Sequence, residues 1–499
     1  MIYRNTKRLI LLLTCAVIGV LSSCKDQWAA HSELLNKEND LTLFDKIKQQ
    51  PELSSFVDLL VSTGYDKVLE SSKTFTVWAP TNAAMANVAT GTFTDEALAK
   101  SFVANHIVNQ SYSVAALKLA GLTEQRIQTL NGKSITFTTD GVEDAKLIKS
   151  DLSVKNGVFH EIDVALEVRK NILDYLNGLT DVGLKQRDFM RSLNYDLDGA
   201  GNKVYSAEGL RNDFSEQIAR LNNERGEYTY IVLTDAAFDQ ESAKLSKYFA
   251  RATTTLRYDS TTLYRTSWNV VKDFVANTIV KPTQLGATLL SSTGVNVPID
   301  KTAIVSSYRA SNGMVYVMNK VDFDVFQDKI RPIVIEGESL SSYSQNDKSG
   351  SIFTRIRLDG AGLQFSDKFI SGTDVASFWG RVRINDLYST KYKIYWRALN
   401  DQAWSTASPS APVNFKQKLG FSSPTGLPLP YTDITPYITV NYNNPADLTR
   451  PKAPFEEVYL GDVTVTSWGT TFLYAIGDAV RTAGLNTISL DYVKLVPTN

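Results

Sequence analysis

Four short segments of this chain occur twice, in the same order, and that repetition limits its architecture more than any other feature. Thr42–Ile47 (TLFDKI) recurs as Asn171–Leu176 (NILDYL), and Phe75–Met85 (FTVWAPTNAAM) recurs as Tyr228–Phe238 (YTYIVLTDAAF). Ser101–Val108 (SFVANHIV) recurs as Asp273–Val280 (DFVANTIV), and Asn156–Asp163 (NGVFHEID) as Asn312–Asn319 (NGMVYVMN). Order kept across all four pairs implies two copies of one domain, over residues 38–168 and 169–326. A length of 499 residues is too great for one ordinary core, and the remainder, residues 327–499, has a character of its own.

The best preserved pair shows how the unit is built locally. Phe75, Val77 and the alternating threonines suit a half-buried strand. Pro80 cannot continue a ladder and holds Ala79 extended, while Thr81 or Asn82 can cap a following Ala-rich helix. The second copy has Leu233 for Pro80 and Asp235 for Asn82 but keeps a capping hydroxyl at Thr234, so the strand-to-helix handover is what the motif preserves. Phe44, Ile47, Leu53, Phe56, Leu59 and Leu60 recur at helical spacing. Asn131–Gly141 reads as a turn and an alternating strand, and the segment from Asn156 as a turn into a buried strand. An insertion near residues 194–225 contains Asn194–Tyr205 (NYDLDGAGNKVY), which matches the first half of a calcium-binding EF-hand loop. Tyr205 stands where that loop needs its last carboxylate, so a β-hairpin turn accounts better for the Asp, Asn and Gly.

Past Phe326 helical periodicity gives way to short alternating runs at 351–360, 378–386, 391–399, 456–468, 470–476 and 486–497. These predict an antiparallel, jelly-roll-like sandwich over residues 327–499, with one helical turn near Ile476–Gly484. Trp379, Trp396, Trp404 and Trp468 fall in this segment. Trp396, on an alternating strand, is expected to point inward. Trp404, in a polar stretch, and Trp468, before Gly469 at a turn, are expected to be exposed and are the candidates for stacking on a sugar ring.

The strand ending in Ala79-Pro80-Thr81-Asn82, the central His106, and the Asn156-Gly157 turn before His160 and Asp163 together resemble the fasciclin family. The likeness covers the first copy. The second departs from it at Leu233, Asp235, Thr278 and Tyr316, which stand for Pro80, Asn82, His106 and His160. The resemblance implies a small β-sandwich flanked by helices, a packing role for these motif residues, and contacts in adhesion or at a cell surface. The opening Ile335–Leu340 and closing Asn486–Pro497 of the last segment are similar to carbohydrate-binding jelly rolls. The expected fold class is therefore two α+β fasciclin-like domains, the second degenerate, followed by an all-β antiparallel sandwich.

Arg4, Lys7 and Arg8 precede an apolar run, Leu9–Leu21, that is short for a membrane span. Leu21–Cys24 (LSSC) resembles the bacterial lipobox, which implies a signal peptide over 1–23, a lipid on Cys24 and a linker over 24–37. Cys15, the other cysteine, falls in the part removed, so the mature chain has no disulfide. Lys25-Asp26-Gln27 partly matches the signals that route Bacteroidetes lipoproteins to the cell surface. The expectation is an outer-membrane, lipid-anchored, surface-exposed protein. A formal net charge of −1 gives no reason to expect a nucleic-acid partner.

Catalytic constellations are not found. There are three histidines, His31, His106 and His160, and no Cys/His metal cluster, phosphate-cradling loop or nucleophile elbow. His106 and His160 could be read as a pair, but support of helix-on-sheet packing is the better account. Asp374, Glu456, Glu457 and Asp462 supply carboxylates to the last segment without a spacing that picks out an acid and a nucleophile. The chain is therefore expected to be non-enzymatic, with no metal and no cofactor. Lipoproteins of this build resemble accessory subunits of Bacteroidetes polysaccharide-utilisation systems. That implies a glycan or nutrient ligand, with a TonB-dependent transporter and its lipoprotein lid as partners. The alternatives are an adhesion protein binding protein or matrix through its fasciclin domains, and a glycoside hydrolase.

Overall fold

The computed structural model describes residues 40–251, 262–359, 362–399, 415–422, 432–433, 438–440, 457–482 and 484–499. The expected signal peptide, Cys24, the 24–37 linker, Trp404 and Glu456 lie outside the described residues. Two compact units are present. One holds the described residues up to Gly178 with Arg220–Tyr228 and Tyr308–Val315, and the other holds Leu179–Ala219, Thr229–Ser307 and Tyr316–Asn499.

In the first unit, β1 (Phe75–Pro80), β2 (Ile107–Val108), β3 (Glu124–Gln128), β4 (Ser134–Thr138), β5 (Gly141–Val142), β6 (Ala145–Val154) and β7 (Gly157–Ile162) form one sheet in the order β2-β1-β7-β6-β5-β4-β3. At its centre β1 and β7 run parallel, placing Trp78 beside His160. β1 is buried along its whole length rather than on one face. Successive side chains of a strand point to opposite faces, and here both faces are covered. Phe75, Val77 and Ala79 pack with Leu43, Phe56 and Phe102 from the helices Leu43–Lys48, Ser54–Thr63 and Glu96–Asn105. Trp78 packs with Ile127, Ile135, Phe137 and Val142 from the β3–β5 strands. The first helix opens on a capping box between Thr42 and Asp45, and the second stops at Gly64 in the left-handed region, at a φ of 78°.

This unit also contains parts of the second repeat, and its charged contacts show why. Arg126 on β3 donates to the carbonyls of Glu224 and Ser311, each at 2.8 Å, and Lys133 pairs with Glu224 at 2.7 Å. Arg309 reaches Glu143 at 3.0 Å, a carboxylate that Arg169 also holds.

The insertion of the second repeat is a small sheet of β8 (Asn194–Leu197), β9 (Lys203–Tyr205) and β10 (Arg211–Asn212), order β10-β8-β9. The β8–β9 turn is the expected hairpin. Asp198 closes it by accepting from the amides of Ala200 and Asn202, both at 2.8 Å, so its carboxylate serves the turn itself.

The repeat proper contains β11 (Tyr228–Leu233), β12 (Val275–Ala276), the ribbon of β13 (Thr288–Leu290) and β14 (Asn296–Pro298), then β15 (Ile304–Ala310) and β16 (Gly313–Met318). Its main sheet runs β12-β11-β16-β15, the order that β2-β1-β7-β6 has in the first repeat. One feature of the sequence match needs correction. Ser101–Val108 and Asp273–Val280 look alike but are four residues out of structural register. Buried Thr76 donates to the Gln110 carbonyl and accepts from the Tyr112 amide, whereas its counterpart Thr229 donates to Thr278 and accepts from Val280. Thr278 therefore answers Gln110. The position of His106, whose carbonyl accepts from Trp78, is filled by Phe274, whose carbonyl accepts from Ile231. Strand pairing sets the register, and apolar octapeptides of similar composition do not reveal it.

The C-terminal region is antiparallel throughout its described strands. β17 (Ile333–Glu336), β18 (Ser342–Tyr343), β19 (Ile352–Leu358), β20 (Gln364–Ile370), β21 (Trp379–Leu387), β22 (Lys391–Arg397), β23 (Phe415–Ser422), β24 (Thr432–Asp433), β25 (Ile438–Val440), β26 (Val458–Thr464), β27 (Gly469–Gly477), β28 (Ile488–Leu490) and β29 (Tyr492–Thr498) distribute over three sheets. Their orders are β17-β29-β22-β26, β18-β21-β27-β23-β24 with β25 beside β23, and β19-β20-β28. Ile335, Ile370, Tyr392, Trp396, Leu473 and Val493 share one core. Trp396 points inward, as its alternating strand implies. The stretch Asn486–Pro497, expected as one closing strand, is two: the chain leaves one sheet at Leu490 and joins another at Tyr492. Asp491 marks the crossing, 3.0 Å from Arg397. No helical turn forms among the described residues of Ile476–Gly484.

Candidate binding sites

Each motif residue of the first repeat meets backbone. Asn156, buried before the β7 strand, accepts from the Leu43 amide at 2.8 Å and donates to the carbonyls of Leu69 at 2.7 Å and Ser71 at 2.8 Å. Asn312 does the same in the second repeat, accepting from Ile172 at 2.9 Å and donating to Leu221 and Asn223. One side chain thus ties a helix start, a loop and a strand start. Gly157 follows because a Cβ there would lie 2.0 Å from the Phe75 carbonyl oxygen, at a φ of 151°. Thr81 caps the short helix after Pro80, and Thr234 caps its counterpart. Asn82 reaches away from that helix, accepting from the Ser55 amide at 2.9 Å, just as Asp235 accepts from Lys185 at 2.8 Å. Asp163 accepts from the Lys146 amide at 2.7 Å.

The two histidines sit in separate aromatic clusters. His106 lies against Phe56 and Phe102, and His160 stacks on Trp78 beside Phe137. His106 Nδ1–H donates to the Phe102 carbonyl at 2.8 Å, leaving Nε2 to accept from the Leu166 amide at 2.9 Å. Burial pushes its pKa down to about 4, the carbonyl contact opposing. His160 uses the other tautomer, with Nε2–H on the Tyr112 carbonyl at 3.0 Å and Nδ1 accepting from Asp151 at 3.3 Å. Burial lowers its pKa as well. Neither ring has a nitrogen left for a substrate. In the second repeat Tyr316 replaces His160, and its hydroxyl donates to the Val280 carbonyl at 2.7 Å, the residue equivalent to Tyr112.

His106 also positions a groove of about 450 Å³ with apolar walls from Val88, Leu98, Phe102 and Val168. Its ring links the Phe102 carbonyl to the Leu166 amide, and Asn105 donates to the Glu167 carbonyl at 3.0 Å, so the two walls are fastened to each other.

Of the two tryptophans expected at a ligand, Trp404 is outside the described residues, and Trp468 is not exposed. Only 6% of Trp468 is accessible, because Phe249 and the Arg265 guanidinium pack on its ring. It belongs instead to a pocket of about 130 Å³ in the second unit, with Arg265, Trp268, Lys272, Asp386 and Tyr388. Nothing in the sequence near Trp468 signals this, since its partners come from a helix some 200 residues earlier.

Of the carboxylates singled out in the last segment, the three that are described, Asp374, Glu457 and Asp462, are surface groups. Glu457 accepts from Lys494 and the Tyr492 hydroxyl, each at 3.1 Å, Asp462 accepts from the Tyr459 hydroxyl at 2.6 Å, and Asp374 is exposed. Among the described residues no group of three or more His, Cys, Asp or Glu could hold a metal, and no helix is long and apolar enough to cross a membrane.

The sequence of residues 51–168 matches the family model for the fasciclin domain. No curated protein matches the chain in sequence. Among solved structures, a FAS1 domain pair from the insect cell adhesion molecule Fasciclin I is similar over 55% of this chain and 97% of its own, at 15% identity and a TM-score of 0.21. A GH26-CBM35 β-(1,4)-mannanase of Podospora anserina is similar over 34% of this chain and 28% of its own, at 12% identity and a TM-score of 0.20. A xanthan lyase of Paenibacillus is similar over 40% and 18%, at 11% identity and a TM-score of 0.23. A fasciclin domain points to a non-enzymatic adhesion or binding role. Residues 51–168 of this chain are a fasciclin domain.

Proposed function

We propose that this chain is a lipid-anchored, surface-displayed binding subunit that captures a glycan or similar nutrient without transforming it, beside a TonB-dependent transporter and its lipoprotein lid. The observation that carries the non-catalytic part is the state of His106 and His160: both rings are buried and both are committed to backbone groups. Attachment to the outer membrane rests on the LSSC sequence at Leu21–Cys24 behind its apolar run. The second repeat is read as a degenerate fasciclin domain, because its sheet order and its Asn312, Thr229 and Thr234 contacts copy those of the first. The antiparallel C-terminal region is read as the carbohydrate-binding module.

Affinity electrophoresis of the mature chain through polysaccharide-containing gels, together with co-purification from outer membranes, tests this reading. Retardation by a polysaccharide or recovery of a TonB-dependent transporter supports it, and failure of both removes it. The fasciclin domain itself favours a second reading, adhesion to protein or matrix. A pull-down that recovers neighbouring-cell or host proteins, indifferent to added glycan, would put adhesion first.

A further inference from the structure

The pocket at Trp468 has more hydrogen-bond donors than its own residues can satisfy. Helix Thr262–Val271 contributes Arg265, Trp268 and Asn269, and Lys272 follows directly, at the i, i+3, i+4 and i+7 spacing of one helical face. Asp386, Tyr388, Phe249 and Trp468 close the other sides. The walls are held by backbone bonds, from Ser389 to the Tyr248 carbonyl at 2.8 Å and from Trp468 to the Ala250 carbonyl at 2.7 Å, so the enclosure is built in.

Among the described residues, the buried Trp468 Nε1 and Arg265 Nε have no hydrogen-bond acceptor. The Lys272 ammonium has no ion pair or hydrogen bond there either, and burial lowers its pKa although Asp273 and Asp386 oppose that. Buried donors are nearly always paired, so the Trp468 and Arg265 donors, with the half-buried Lys272 ammonium beside them, call for an acceptor from outside. Two cations face one carboxylate, that of the exposed Asp386, which leaves a single positive charge to be matched. Four aromatic rings supply apolar walls for a carbon skeleton. The volume, about 130 Å³, is below the ~300 Å³ where drug-sized ligands begin, so the space takes one functional group of a ligand and not the whole.

We propose that this pocket binds a carboxylate, as the acid group of a uronic-acid residue, an inference that names the ligand class of the glycan-capture reading and rests on it. Arg265 and the Trp468 indole donate to its oxygens, Lys272 supplies the charge, and Asp386 weakens binding by repulsion.

Titrating the mature chain with sodium galacturonate, galactose and polygalacturonate tests it, read by tryptophan fluorescence and by the ¹⁵N indole resonance of Trp468. Galacturonate is expected to shift that resonance and galactose to leave it in place. Lys272→Met should weaken galacturonate about tenfold or more, the worth of a charged hydrogen bond. Asp386→Asn should tighten it several-fold, and Asn suits the positive φ of 54° at that position. Equal responses to galacturonate and galactose, or unchanged affinity in both variants, overturn the proposal. Binding of monomer and polymer alike assigns the carboxylate to a glycan. Binding of the monomer alone keeps the pocket but sinks the glycan source. Gel retardation by a neutral polysaccharide, with no galacturonate binding, keeps glycan capture and removes the pocket.

Discussion

His106 makes the first domain sensitive to mild acid, and the effect can be traced to one ring. The side chain is fully buried, with Nε2 accepting from the Leu166 amide, and burial pushes its pKa down to about 4. An ordinary histidine in an unfolded chain protonates near 6.5. The folded pKa lies below the unfolded one, so between those values the unfolded state binds more protons and stability falls as pH falls. The contribution is complete above about pH 6.5 and gone below about pH 4, a slope of ~1.4 kcal/mol per pH unit and a total of ~3 kcal/mol. His160 shifts in the same direction and adds to the loss. His106→Phe installs the residue that the second repeat has at this position, Phe274. It leaves the Leu166 amide without an acceptor, a cost of about 1–3 kcal/mol at pH 7.5, but it removes the titrating group. Hydrogen exchange of the β1 amides measured from pH 7.5 to 4.5 gives the stability of this domain in the full mature chain, and ¹³Cε1 resonances give the histidine pKa values directly. The gap between parent and variant should shrink by ~2–3 kcal/mol across that range. A His106 resonance titrating near 6.5, or a gap independent of pH, would refute the reasoning.

One further expectation concerns matched positions of the repeats, and another a buried ion pair. Asn156→Ala and Asn312→Ala each remove three buried backbone contacts, and each should destabilise its repeat by about 2–4 kcal/mol in hydrogen exchange, with the two values similar. Lys329 Nζ lies 2.6 Å from Asp273 with both side chains buried, and burial pushes the lysine pKa down to about 8. Lys329→Met should cost about 3–5 kcal/mol by stranding the Asp273 carboxylate, and adding Asp273→Asn should recover part of it, as a double-mutant cycle by thermal unfolding would show.

Much of this was legible because local chemistry dictates it. A proline followed by Thr81 and Asn82 must end a strand and start a helix, and an Asn-Gly before an apolar run must turn into a strand. Contacts between distant segments left no such local mark. The sequence offers Thr81 or Asn82 as the cap of the following helix; Thr81 takes that role, and the Asn82 side chain instead accepts from Ser55 in the helix Ser54–Thr63. Alternation does not reveal β20, because the strand buries Asp367 and Lys368, and the former is tolerated inside through Arg355 on β19 and the Ser489 hydroxyl. Asp491 breaks an alternating run that periodicity reads as continuous. The turn at Trp468-Gly469 predicts an exposed indole, whereas its environment is set by Phe249 and Arg265.

Binding without turnover is the central claim, and one experiment measures both halves of it. The mature protein is incubated with a panel of neutral and acidic polysaccharides, and gel retardation is recorded beside the release of reducing ends. Retardation by at least one polymer, with no release above the buffer control, is the predicted result. Release of reducing ends, or retardation by none of the panel, would contradict it.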